Sequence, residues 1–322
     1  MNGMLTPQVQ AAQALKSIAR SEHIKSYLQQ SEELYPLVLQ AAKRFITGES
    51  RQDGITVAKE MIRKGYAVSL EYIGENIKGA GECHEAKEEF LQLIEEMGAA
   101  SINQTVSLDL SHIGLLVDTE ITYTHLVELA EKAKSYNITV MVSMEESSKT
   151  DDILDIYKRA VRHYSNVGIS IQAHLYRSVQ DLRELMDYPG KIRIVKGAYQ
   201  EPCNVAIPRS KELNDRYLQL VEQVMEANHP LSIATHDESL IQQIEQRHCL
   251  ARSHVEVEML YGIRPDLLKN AKDNGYTARM YLTYGQEWYL YLCHRLAEYP
   301  ENLYLALTDM IGPPATNKYG SY

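Results

Sequence analysis

Eight stretches rich in β-branched residues, each followed by an amphipathic helical stretch, run through this chain from about residue 67 onward. The predicted strands lie at 67–73, 105–110, 138–144, 167–173, 191–195, 231–235, 254–259 and 276–282. Val and Ile dominate several of them, as parallel strands covered on both sides require. Between them, Ala86, Phe90, Leu93, Ile94 and Met97 form one helical stripe, and Ile153, Ile156, Tyr157, Ala160, Val161 and Tyr164 another. Ser210 suits an N-cap, and Pro265 the first turn of the seventh helix. Eight alternations without a long linker predict an α/β fold, a closed (β/α)₈ TIM-like barrel, with chemistry where the strands end. An open doubly wound sheet is the competing architecture. It calls for a Gly-rich phosphate loop after the first strand. Here that strand runs into Tyr72-Ile73-Gly74-Glu75-Asn76, and Gly79-Ala80-Gly81 has neither Rossmann spacing nor a P-loop Lys-Ser/Thr.

The first 65 residues read as helix, with Leu34, Leu37, Val38, Ala41, Ala42 and Phe45 on one apolar face. The expected organisation is an N-terminal helical arm over 1–65 and a barrel over 66–322. Acidic residues outnumber basic ones, 43 to 33, which argues against nucleic acid as a partner. No apolar run reaches the length of a membrane span, and residues 1–20 lack the basic–apolar–small order of a signal peptide. Four cysteines (Cys83, Cys203, Cys249, Cys293) stand without CxxC spacing, which fits a reducing cytoplasm and disfavours zinc or disulfides. The 22 tyrosines are expected to pack with their hydroxyls at the surface.

Polar residues gather at the predicted strand ends: Asp109 and His112, Ser143 and Glu145, Gln172 and His174, Arg193 and Lys196, Thr235 to Asp237, Glu256 and Glu258, Arg279 and Tyr281. One alone has a plain structural explanation, such as an ion pair for Arg193 or a solvent-seeking stem for Lys196. Together they are costly inside a barrel unless something pairs with them. A metal-dependent hydrolase usually needs paired His ligands on one strand. The first strand offers Ser69, Glu71 and Tyr72, so no metal site is expected. An organic cofactor rich in acceptors suits the mixture better.

Six motifs in order resemble the proline dehydrogenase family. They are Ser143-Met144-Glu145, Gln172-Ala173-x-Leu175-x-Arg177, Arg193 through Tyr199, Ala234-Thr235-His236, Glu258 through Gly262, and Arg279-Met280-Tyr281 continuing through Tyr284-Gly285 to Tyr291–Glu298. The resemblance implies a distorted (β/α)₈ barrel holding FAD non-covalently at the strand ends. It implies Met144, Gln172, Arg193, Lys196, Gly197, Ala198, Thr235 and His236 as FAD contacts, with Arg193 as the catalytic cation beside the ring. Tyr199, Tyr281 and Tyr291 would wall the substrate ring, with Arg295 and Glu298 holding the substrate or each other. The implied reaction oxidises L-proline to 1-pyrroline-5-carboxylate by hydride transfer to flavin N5. The implied acceptor of the electrons is a membrane quinone, reached by loose attachment to the inner membrane face.

The chain departs from the family on the substrate side. Asp109, Ser143, Glu258 and His294 stand where Lys, Asp, Gln and Arg are typical. A hydrogen bond to a charged group contributes about 1.5–3 kcal/mol. Two lost contacts would weaken carboxylate binding about 10²–10⁴-fold. Two alternatives follow: a dehydrogenase for a proline derivative or other cyclic amine lacking a free carboxylate, or a non-catalytic flavin-binding homologue.

Overall fold

The computed structural model of the chain describes residues 6–19, 21–247, 249–312 and 322. Residues 1–5, 20, 248 and 313–321, which fall within the expected 1–65 and 66–322 ranges and partly within the 1–20 signal-peptide reading, lie outside the described residues. Four helices come first: α1 (Pro7–Ala19), α2 (Glu22–Gln30), α3 (Leu34–Ala42) and α4 (Arg51–Arg63). The strands are β1 (Ala67–Tyr72), β2 (Thr105–Leu108), β3 (Thr139–Val142), β4 (Val167–Gln172), β5 (Ile192–Val195), β6 (Leu231–Ala234), β7 (Val255–Leu260) and β8 (Ala278–Tyr284). Between them run α5 (Ala80–Ala99), α6 (Thr119–Ser135), α7 (Thr150–Val161), α8 (Ser178–Leu185), α9 (Lys211–Glu226), α10 (Glu238–Gln246) and α11 (Pro265–Asp273). The chain continues into α12 (Trp288–Glu298) and α13 (Pro300–Ile311).

All eight strands pair in parallel, in sequence order, and β8 closes on β1 through pairs such as Ser69↔Tyr281. The expected barrel is therefore the observed one, with strand ends shifted by up to three residues. The second strand stops at Leu108 because Asp109 leads into a 3₁₀ turn at Leu110–His112. Ser210 caps α9 by accepting from the Leu213 N–H, and Pro265 opens α11.

Side-chain alternation explains the interior. One parity turns Val68, Leu70, Val106, Leu108, Val140 and Val142 into the main apolar core. The other parity faces the lumen and is polar. Ser69 of β1 and Ser232 of β6 both hydrogen-bond Glu258 of β7, at 2.9 and 2.5 Å. Arg193 of β5 reaches Ser107 of β2 at 2.9 Å. Nearer the strand starts, Arg279 donates Nε and Nη2 to Glu256 at 2.8 and 2.9 Å, and Lys191 joins at 3.0 Å. Burial pushes the Glu256 carboxyl up, but Arg279 and Lys191 outweigh it and hold it down at about 2. Two layers of buried ion pairs thus fill a barrel whose lumen is more often branched apolar side chains.

A second apolar cluster joins Ala19, Leu28, Ala41, Ala42 and Phe45 to Trp288, Tyr289, Leu292 and Leu296 of α12. The first three helices therefore back the helix that carries Arg295. α4 packs instead on β1 and β8, started by a Ser50–Asp53 capping box. Leu34 and Leu37 depart from the predicted apolar face: both are exposed, because α3 packs on α13 through its other residues. The tyrosines depart too. Tyr217 donates its hydroxyl to the Ile194 carbonyl and Tyr284 to Glu89, both from inside, and the Tyr66 and Tyr157 hydroxyls are buried without a partner. Among the described residues no helix is long and apolar enough to cross a membrane.

Candidate active site

Side chains from β1, β2, β5, β8 and α12 converge at the C-terminal mouth of the barrel. Glu71, at the end of β1, shares a hydrogen bond with the Tyr281 hydroxyl. The Arg193 guanidinium lies over the Tyr281 ring, 5.0 Å from its centroid. It does not point free into the mouth: Nε and Nη2 bind Glu258 at 2.8 and 2.9 Å, both side chains buried. The ion-pair alternative for Arg193 is therefore realised. On α12, Arg295 lies 5.1 Å from the Tyr291 ring centroid and bonds Glu298 at 2.9 Å. Arg295 is buried, and its Nε has no partner. Charges on Glu298, Tyr291, Tyr299 and Tyr199 all act on it. Tyr199 in turn faces Asp109, Glu75 and Glu145. The residues predicted to wall the substrate, Tyr199, Tyr281 and Tyr291, are thus gathered with Arg295 and Glu298. His294 sits beside Arg295 in sequence and is partly buried.

Carboxylates dominate the β1–β3 side. Burial, then Glu71, Glu145 and Glu75, raise the Asp109 carboxyl well above its ordinary range, and Lys149 opposes them. The protonated form, which can donate a hydrogen bond, is favoured by these surroundings. The repulsion that an ionised Asp109 would exert on a substrate carboxylate is absent in that form. Burial pushes Glu71 up to about 7, with Glu75 adding to the shift and Tyr281, Arg193 and Arg295 opposing it. Lys149 is committed to its own surroundings. Its ammonium bonds Asn76 at 2.6 Å and Glu145 and Glu146 at 2.7 Å each. Glu145, fully buried, also accepts from the Ser111 N–H at 2.9 Å.

The residues expected to contact a cofactor lie along β3 to β6. Met144 is buried after β3. Gln172 donates Nε2 to the Glu145 carbonyl at 2.7 Å. Lys196 pairs with Asp237 at 2.7 Å rather than reaching into solvent. Gly197 has φ +106°, and a Cβ there would fall on the His174 imidazole. His174 donates Nδ1–H to the Lys196 carbonyl at 3.0 Å, and its Nε2 is buried without a partner. Ala198 is exposed at the mouth. Thr235 Oγ1 accepts from the Asp237 N–H at 3.2 Å. His236 Nε2 accepts from the Leu260 N–H at 2.9 Å, and burial, helped by the charges of Arg295 and Arg264, holds it down at about 3. A neutral imidazole acceptor is what that bond requires.

Sequence reasoning passed over Glu71, Glu75 and Lys149. Glu71 was legible by parity: it is two residues beyond Ser69 and so faces the same lumen. Lys149 was legible by its i, i+4 spacing from Glu145.

The proline dehydrogenase family model matches residues 55–303. Proline dehydrogenase 1 of Bacillus subtilis strain 168 is 32% identical over 273 residues, covering 84% of this chain and 90% of its own length. Proline dehydrogenase of Deinococcus radiodurans is 35% identical over 278 residues, with the same coverage of 84% and 90%. The crystal structure of proline utilization A (PutA) from Bdellovibrio bacteriovorus inactivated by N-propargylglycine superposes with TM-score 0.73 at 18% identity, covering 98% of this chain and 44% of that one. That likeness is one of fold. The sequence matches, falling on the barrel and on the helix that carries Arg295, show that the chain belongs to the proline dehydrogenase family.

Proposed function

We propose that this protein is an FAD-dependent proline dehydrogenase that oxidises L-proline to 1-pyrroline-5-carboxylate. The observation that carries the reading is Arg295, buried with an unpaired Nε and facing Tyr199 and Tyr291, in a chain of this family. A buried guanidinium N–H without a partner is costly, and a carboxylate ligand supplies the missing acceptor. Burial and the neighbouring carboxylates favour the protonated form of Asp109, which would be a donor where the family has lysine.

The residues at the mouth fit a flavin. Gly197 brings bare backbone to the strand ends, and the orphaned His174 Nε2 is a polar atom in want of a partner. Met144, Gln172, Lys196, Gly197, Ala198, Thr235 and His236 would hold the cofactor, with Arg193 as the catalytic cation. When bound, FAD supplies a two-electron acceptor for hydride leaving the carbon next to nitrogen. The chain's own part is positioning. Tyr199, Tyr281 and Tyr291 exclude water and fix the ring, Arg295 orients it through the carboxylate, and Glu298 fixes Arg295. Glu258 locks the Arg193 fork so that its charge needs no reorganisation during reaction.

Residues 1–65 are proposed as an N-terminal helical arm, and 66–322 as the flavin-binding barrel. We place the protein in the cytoplasm, passing electrons to a quinone by loose contact with the inner membrane face. Anaerobic addition of L-proline to the flavin-loaded protein tests the reading. Bleaching of the oxidised flavin band supports it. Bleaching only by proline esters or amides moves the substrate to derivatives without a free carboxylate. Binding of such amines without bleaching makes the protein a non-catalytic homologue.

A further inference from the structure

A protonated secondary amine cannot give up hydride from the neighbouring carbon, because its nitrogen has no lone pair to form the new C=N bond. Its ammonium pKa is near that of lysine, ~10, so at neutral pH a proton must be removed first. Something at the mouth of the barrel has to receive it.

Among the described residues, Glu71 is a carboxylate in the right setting. Glu71 ends β1 on the lumen-facing parity and is partly accessible. Its hydrogen-bond partner is Tyr281, under the Arg193 guanidinium. The charged and titratable groups facing it come from every side of the mouth: Tyr281 from β8, Arg193 from β5, Arg295 and Tyr291 from α12, Asp109 from β2 and Glu75 from its own loop. It therefore lies among the residues that wall the proposed substrate, while Glu258 and Glu256 are each locked into an arginine pair. Asp109 is excluded by its own neighbourhood. Burial and the charges of Glu71, Glu145 and Glu75 raise its carboxyl and favour the protonated form, a donor rather than an acceptor of a proton.

We propose that Glu71 is a catalytic residue of this site, the base that takes the proton from the substrate ammonium before oxidation. The N–H bond breaks, an O–H bond forms on the Glu71 carboxylate, and the pair left on nitrogen becomes the C=N bond as hydride departs to the flavin. The two electrons end on the flavin and the proton on Glu71. Tyr281 orients the accepting carboxylate. A carboxyl poised near neutrality is better matched to this transfer than one at its ordinary ~4.5. The inference rests on the amine-oxidising reading of the site.

Two measurements test it, both on flavin-loaded protein. The first is difference infrared spectroscopy of the substrate-free protein between about pH 5 and about pH 9, a span centred on ordinary neutral titration. A protonated carboxyl band should disappear as pH rises through neutrality, and be missing at all pH in Glu71→Gln but retained in Asp109→Asn. Loss of the band in Asp109→Asn alone overturns the proposal. The second is the rate of anaerobic flavin reduction by L-proline against pH. In the unaltered protein it should rise as Glu71 loses its proton. In Glu71→Gln it should fall about 10²–10⁴-fold and lose that limb, the range general bases contribute. Where Glu71→Gln fails to hold flavin, Glu71→Asp replaces it: a displaced limb supports the proposal, and an unchanged one overturns it. Equal rates with equal pH dependence in variant and parent overturn the base assignment while leaving the function standing. Failure of every secondary amine to reduce the parent protein overturns both.

Discussion

Glu258 on β7 accepts both Nε and Nη2 of Arg193 on β5, at 2.8 and 2.9 Å, in the middle of the barrel lumen. Ser69 and Ser232 supply the remaining hydrogen bonds to the carboxylate, so the charge has partners although it has lost water. The pair fixes a guanidinium at the foot of the site and thereby links barrel stability to catalysis.

Removing one partner leaves the other charge buried and alone. Glu258→Ala is expected to cost about 3–5 kcal/mol in urea unfolding. The double change Arg193→Met with Glu258→Leu should cost clearly less while abolishing flavin reduction. Equal losses in the single and double variants would show that the pairing is not the source of the effect.

Arg295 is the cation assigned to the substrate carboxylate. Arg295→Leu should raise the KM for proline about 10–10²-fold, from the loss of a charged hydrogen bond of about 1.5–3 kcal/mol. The KM of a proline methyl ester, which lacks that charge, should change much less. Steady-state kinetics with both substrates reads the difference.

Burial and the neighbouring carboxylates raise the Asp109 carboxyl and favour its protonated form in the site. Asp109→Asn keeps a donor without charge, so proline KM near pH 7 should stay within about threefold of the parent, below half of the ~1.4 kcal/mol that marks a decade. At higher pH the parent should lose affinity as Asp109 ionises and repels the carboxylate, whereas Asp109→Asn should not. A KM profile against pH checks this.

Gly197 has no room for a side chain. Gly197→Ala forces a Cβ toward His174 at φ +106°, a backbone region costing about 1–2 kcal/mol before any clash. The expected result is loss of bound flavin on purification with the barrel still folded, read by absorbance and circular dichroism together.

His112 is wedged between Tyr72 and Phe90, and burial holds it down at about 4. The unfolded chain takes up a proton at this imidazole near pH 6.5 and the folded chain does not. Stability should therefore fall as pH drops from about 6.5 to about 4, by up to about 1.4 kcal/mol per unit. His112→Phe should flatten that window. Glu256, held down at about 2, contributes stability present above its ordinary ~4.5 and lost as pH falls through about 2, so a second acid limb below the first should remain in the variant.

The barrel was legible because its signal is periodic and repeated: eight β-branched runs at regular spacing have few other solutions. Caps at Ser210 and Pro265 were legible for the same local reason. The lumen was less so. Arg193 and Glu258 read as separate strand-end residues, and only closure of the sheet puts β5 and β7 side chains within hydrogen-bonding distance. Protonation was not legible at all. The Asp109 carboxyl is raised by burial and then by Glu71 of β1 and Glu145 beyond the end of β3, which the sequence does not place beside it. Leu34 and Leu37 show the converse error, since an apolar stripe is buried only where a neighbour covers it.

A lumen held together by one carboxylate and its three partners has a consequence for inheritance. Ser69, Arg193 and Ser232 come from β1, β5 and β6, yet each satisfies the one Glu258 charge on β7. Any one of them changes safely only if the others change with it. Mutational tolerance across this wall should be strongly epistatic, and a descendant that lost the central charge would have to replace the group as a block.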